Sequence, residues 1–271
     1  MRHSLSLFLL LTLTACSIFD PLPDGTDPLK NVPVEEIYRQ AKEELNNENY
    51  DSAIKLYETL QSRYPYGRYA QQALLEVAFA YYRQGEAESA VSSADRFIKQ
   101  YPNNPHVDYA YYVKGLANFH GEVSLVNSLS GQDPTERDPK ALQDSFAAFK
   151  DLVTRFPDSK YAPDSRVRMQ YLVNMLARHE LHVASYYLRR GAYVAAVNRA
   201  QGILTQYPTS PSTRDALEIL VQAYDAMGMT DLRDDTRRVL QKNRSTSASP
   251  AGDETPAGGA KSGKSWWQFW K

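Results

Sequence analysis

The chain offers one constellation that looks like a metal site: His179-Glu180-Leu181-His182, two imidazoles flanking a carboxylate. A helical zinc site of this kind sets its histidines at i and i+4, one turn apart on one face, with the glutamate as general base. Here they stand at i and i+3, and the sequence offers no third ligand. Ordinary helix-surface histidines are the simpler reading, and no metal is expected. Cys16 is the only thiol, which excludes an internal disulfide. No glycine-rich phosphate loop is present, and no serine sits in a nucleophile-elbow context. Scattered carboxylates occur, but nothing in the sequence pairs them. No catalytic residue, no enzyme activity and no cofactor are therefore expected, apart from lipid attached covalently to Cys16. Binding is the class of function left.

The elements that must position a binding surface are helices. In the stretch 71–102, Leu74, Val77, Ala78 and Tyr81 share one helical face, and Ala87, Ala90, Val91, Ala94 and Phe97 share another, with Gln84-Gly85-Glu86 between them. Ala78, Ala90 and Pro102 are spaced twelve and twelve: small residues where two antiparallel helices meet, and a proline where the second stops. This is the pattern of a tetratricopeptide repeat, a helix-turn-helix unit of about 34 residues. Ala41, Ala53 and Pro65 repeat it, as do Ala184, Ala196 and Pro208 with Gly191 in the turn. A third copy begins at Gly115 and continues at Ser145, Phe149, Leu152 and Pro157 if 18 residues are inserted between them. A degenerate fifth keeps Ala223 and Asp235. The sequence predicts an all-α, TPR-like solenoid of about five helix-turn-helix repeats at about 34–65, 71–102, 107–157, 162–208 and 212–243, with an insertion in the third. One elongated array over 32–243 follows, each unit touching mainly its neighbours. The long breaker-free stretch after Pro163 predicts an extended helix, which could divide an N-terminal block from a C-terminal one.

In such an array the first helices of the repeats line a groove. Their register places Tyr38, Lys42 and Leu45, then Leu75, Phe79 and Tyr82, then Tyr109, Tyr112, Leu116 and Phe119 on that face. Nineteen tyrosines against nine phenylalanines fit it, because amphipathic aromatics tolerate half-burial. The expected ligand is an extended peptide bearing aromatic side chains, with Tyr38, Phe79, Tyr82, Tyr109, Tyr112 and Phe119 as its contacts. Beyond the long helix, Arg189, Arg190 and Arg199 offer cations to an acidic partner. The 31 Lys+Arg and 32 Asp+Glu nearly cancel, so no nucleic acid partner is expected.

The two ends carry other information. Arg2 followed by the apolar run from Leu5 to Leu13 reads as an export signal over 1–15, too short to span a bilayer as a mature helix. Leu13-Thr14-Ala15-Cys16 resembles a bacterial lipobox, which implies an N-palmitoyl, S-diacylglycerol Cys16. Ser17, rather than Asp, implies sorting to the outer membrane of a Gram-negative cell. The proline-rich segment 16–31 reads as a tether. Pro33 suits the first turn of the first helix, and Asp138-Pro139 suits a cap and first turn after the insertion 121–139. Residues 244–271 are disordered by composition and carry Trp266-Trp267-Gln268-Phe269-Trp270-Lys271. Docking on the solenoid, a partner's groove and the lipid interface each account for those tryptophans.

Taken together, the lipobox, the five TPR-like units and the interrupted third repeat resemble the BamD (YfiO/ComL) family of the outer-membrane β-barrel assembly machinery. Arg63-Tyr64-Pro65-Tyr66-Gly67, Asp95-Arg96-Phe97-Ile98, Arg137-Asp138-Pro139, Arg190-Gly191-Ala192-Tyr193 and Val197-Asn198-Arg199 carry the likeness. The resemblance implies a periplasmic scaffold, lipid-anchored to the outer membrane. It implies N-terminal repeats that receive targeting strands of unfolded outer-membrane proteins and C-terminal repeats that hold BamA. BamC, and BamE as a further candidate, would bind as well. Arg199 matches the arginine that joins the family's members to BamA. The competing reading is another lipid-anchored TPR adaptor of the cell envelope, serving peptidoglycan synthesis or pilus assembly.

Overall fold

The computed structural model describes residue 29 and residues 31–120 and 139–246. Cys16, the tether apart from Leu29 and Asn31, the insertion apart from Pro139, and the tryptophan-bearing run lie outside the described residues. Among the described residues there are ten helices and no strand: α1 (Val34–Asn46), α2 (Tyr50–Arg63), α3 (Arg68–Gln84), α4 (Ala87–Gln100), α5 (Val107–His120), α6 (Lys140–Arg155), α7 (Ala162–Arg189), α8 (Tyr193–Gln206), α9 (Ser212–Ala226) and α10 (Thr230–Thr246). Each packs on the next, and they pair into five antiparallel hairpins, the TPR-like solenoid that the alanine and proline spacing predicts. Pro33 and Pro139 sit one residue ahead of their helices rather than in the first turn. No described helix is long and apolar enough to cross a membrane.

The hairpin turns among the described residues, at Glu48, Gly85, Gly191 and Gly228, share one geometry. In the second repeat the Gly85 N–H donates to the Tyr82 carbonyl and the Glu86 N–H to the Tyr81 carbonyl, closing α3 with Gly85 at φ 82°. This is the left-handed C-terminal cap that glycine adopts without a Cβ penalty. The first repeat makes the same turn with Glu48 at φ 62°, the only non-glycine residue with positive φ among those described.

Alanines set the spacing of the hairpins. Ala41, Ala53, Ala78, Ala90, Ala94, Ala184, Ala196 and Ala223 are all completely buried. The third repeat departs from this pattern in a compensated way. Phe149 stands in the frame of Ala94, and Gly115 in that of Ala78. A Cβ at Gly115 would lie 2.5 Å from Phe149 Cε1. The ring thus fills the space that the missing methyl leaves, and Ser145 Oγ donates to the Gly115 carbonyl at 2.9 Å.

The long helix α7 joins the two halves rather than dividing them. Leu172, Met175 and Leu176 pack with Leu116, Phe119, Leu142 and Phe149 of the third repeat. Further along, Ala177 and Ala184 belong to the core of the last two repeats with Ala196, Ile203, Leu217 and Leu220. Successive first helices α1 and α3, α3 and α5, and α7 and α9 lie against one another, whereas α5 and α7 approach less closely. Long side chains bridge that wider interval.

Candidate functional site

The first helices form one side of the solenoid, and a band of half-buried aromatic and charged side chains runs across it. It starts between α1 and α3. Tyr38 Oη donates to Glu76 Oε1 at 3.2 Å, and Lys42 Nζ stands 3.7 Å from the same oxygen and 5.5 Å from the Tyr38 ring centroid. The Tyr38 ring lies 5.7 Å from Tyr57 and 5.3 Å from Tyr69. Glu76 is wholly buried, and neither its Oε2 nor the Tyr57 hydroxyl has a hydrogen-bond partner among the described residues. Burial pushes the Glu76 carboxyl up to about 8, against the pull of the Lys42 charge and the Tyr38 hydrogen bond. Burial also lowers the Lys42 ammonium and raises the Tyr38 phenol. Loss of water, which disfavours every charged form, outweighs the mutual attraction here.

The band continues through Phe79 and Tyr82, whose rings are 6.2 Å apart, with the Arg83 guanidinium 5.8 Å from Phe79. It then crosses from α5 to α7. Tyr112 Oη donates to Asp164 Oδ2 at 2.7 Å, and Arg168 Nε donates to the same oxygen at 2.6 Å. The Arg168 guanidinium lies 5.1 Å from the Phe119 ring, and Tyr112 stacks on Tyr161 at 4.7 Å. Burial and the Asp164 hydrogen bond both raise the Tyr112 phenol, so it acts as a neutral donor.

The sequence-predicted groove residues divide. Tyr38, Lys42, Phe79, Tyr82 and Tyr112 are half-buried along the band. Tyr109 and Phe119, expected as peptide contacts, are core instead, only 5% and 3% exposed. Tyr109 packs against Tyr161, and Phe119 lies under Tyr171 and Arg168. Leu45, Leu75 and Leu116 are core too. The cause is the wide α5–α7 interval, which draws α5 aromatics inward to fill it. Glu76, Asp164, Arg168 and Tyr171 were missed. A lone acid within Leu74-Leu75-Glu76-Val77, and an acid and arginine at i and i+4 on α7, were the signals available.

The C-terminal cations are less free than their sequence implies. Arg199 Nη1 on α8 donates to both oxygens of Glu180 on α7, at 3.0 and 3.3 Å. The carboxylate of the His-Glu-Leu-His run is thereby held in an interhelical ion pair. Arg190 lies over Tyr186, its guanidinium 5.6 Å from the ring centroid, and Arg189 is exposed. Among the described residues, no group of three His, Cys, Asp or Glu is placed to hold a metal.

Five stacked helix hairpins with a half-buried aromatic band across their first helices define a TPR-like scaffold. The chain belongs to the YfiO family, described as outer membrane lipoprotein, which matches residues 30–240. It is 41% identical over 264 residues to the outer membrane protein assembly factor BamD of Neisseria meningitidis serogroup A, covering 96% of each chain. Identity to the protein of the same name from Vibrio cholerae is 34% over 231 residues, covering 85% of this chain and 96% of that one. Among solved structures it is similar to a thermophilic TPR protein of Thermus thermophilus, at 18% identity and a TM-score of 0.36, over 72% of this chain and 99% of that one.

Proposed function

We propose that this protein is a non-enzymatic scaffold for outer membrane protein assembly. Its first three repeats take up aromatic-bearing targeting strands of unfolded outer-membrane proteins. Its last two hold BamA, and BamC and BamE complete the set of partners. The relatives named outer membrane protein assembly factor support the general role. The observation that supports the specific one is the band of Tyr38, Phe79, Tyr82 and Tyr112, flanked by Lys42 and Arg168. Half-buried aromatics supply rigid apolar walls at low entropic cost, and their polar tips can meet a peptide backbone. Cys16, lipidated, would tether the scaffold to the periplasmic face of the outer membrane, with about 0.8 kcal/mol per buried methylene.

Co-purification from detergent-solubilised membranes tests the reading. Recovery of BamA with the tagged protein is the expected result. Recovery of a cell-wall synthase or a pilus secretin in its place would overturn it in favour of another envelope adaptor.

A further inference from the structure

A repeat array buries each unit's face under the next unit, so the outward face of its terminal helix should be polar. Here α10 departs from that rule. Met229, just before it, and Leu232 and Val239 on it are 47%, 48% and 48% exposed. Positions 229, 232, 236 and 239 recur at helical spacing, so these apolar side chains form one stripe, interrupted only by Thr236. Among the described side chains of α10, Leu240 alone is buried in the last core.

We infer that residues 266–270 of the same chain, Trp-Trp-Gln-Phe-Trp, dock on this stripe. The inference rests on reach. Residues 247–265 number 19 and are rich in Gly, Ser, Ala and Pro. A chain of that composition has a root-mean-square reach of roughly 22 to 26 Å. Leu232 lies roughly 21 Å back along α10 from Thr246 at 1.5 Å per residue. Effective concentration is greatest when reach and span match, as they do here. Five extended residues then cover roughly 16 Å, more than the roughly 10 Å between Leu232 and Val239. The chemistry agrees, since indole rings carry large apolar area and a methionine sulfur makes favourable contacts with them.

Trp266, Trp267 and Trp270 are the only tryptophans in the chain, so its tryptophan emission reports on this segment alone. The probe is the full mature lipoprotein in phosphatidylcholine vesicles, read by emission wavelength and acrylamide quenching, with circular dichroism as the fold control. Expected is blue-shifted, shielded emission that becomes red-shifted and quenchable in Leu232→Asp and in Val239→Asp. Inserting 19 further Gly and Ser residues after residue 259 should weaken docking about threefold, following the −3/2 power of linker length. Water-like emission in the unmodified protein would overturn the inference. So would shielded emission that ignores both stripe substitutions and the longer linker. In that case, quenching by brominated acyl chains would identify lipid as the occupant, and loss of shielding in Phe79→Ala/Tyr82→Ala would identify the aromatic band.

Discussion

Replacing Glu76 by Gln should remove most of the pH dependence of stability that the first two repeats impose. Glu76 is wholly buried, with one oxygen held by Tyr38 and the other without a partner among the described residues. Its carboxyl is raised from an ordinary 4.5 to about 8. Between these values the native state holds a proton that the unfolded chain has released. Stability from this group is therefore complete below about 4.5, declines as pH rises through the window, and is lost above about 8. At about 1.4 kcal/mol per pKa unit, the displacement amounts to on the order of 5 kcal/mol. His106, lowered chiefly by its burial, contributes the opposite slope below about 6.5, but equally in both proteins. Urea unfolding of the mature protein, followed by circular dichroism at pH 5, 6, 7 and 8, isolates the term as a difference. The two proteins should agree within about 1 kcal/mol at pH 5, where a protonated carboxyl and an amide are similar neutral groups, and diverge toward pH 8, the Gln variant being the more stable. A wild-type protein with no decline across the window, or a Gln variant with an undiminished one, would refute the reasoning.

Gly115→Ala should destabilise by about 1–3 kcal/mol, because its methyl would enter the Phe149 ring; thermal unfolding checks this, and an unchanged midpoint contradicts it. Arg199→Glu replaces an exposed interhelical ion pair by like charges; stability should fall by no more than about 1 kcal/mol, while BamA recovery in co-purification should drop. Cys16→Ser should leave the protein unprocessed or released from the outer membrane, read by membrane fractionation and the mass of the N-terminal peptide.

The fold was legible because small residues and prolines recur at fixed spacing, and close helix contacts demand that spacing. Even the third repeat, interrupted by its insertion, kept Gly115, Ser145 and Leu152 in frame. What the sequence could not supply was the exchange of a methyl for a ring, since Gly115 and Phe149 compensate one another only in space. The groove was half legible. Helical register identifies a face but not how far the next helix stands off, so it places Tyr109 and Phe119 on the groove although they fill the α5–α7 interval. Arg199 looked available because Glu180 is 19 residues away and on another helix. Glu76 was visible as an acid among apolar residues, but its partners Tyr38 and Lys42 lie on a different repeat.

The central claim is that the aromatic band of the first three repeats, and not the C-terminal arginines, receives the client strand. Fluorescence anisotropy of a labelled peptide ending in an aromatic residue, titrated with the mature protein, tests it most directly. Phe79→Ala/Tyr82→Ala, with helical content verified, should weaken binding by about tenfold or more, as loss of buried aromatic anchors does. Arg199→Glu should leave the affinity unchanged, since distant sites in a repeat array act independently. Wild-type affinity in the double variant, or its loss in Arg199→Glu, would contradict the account.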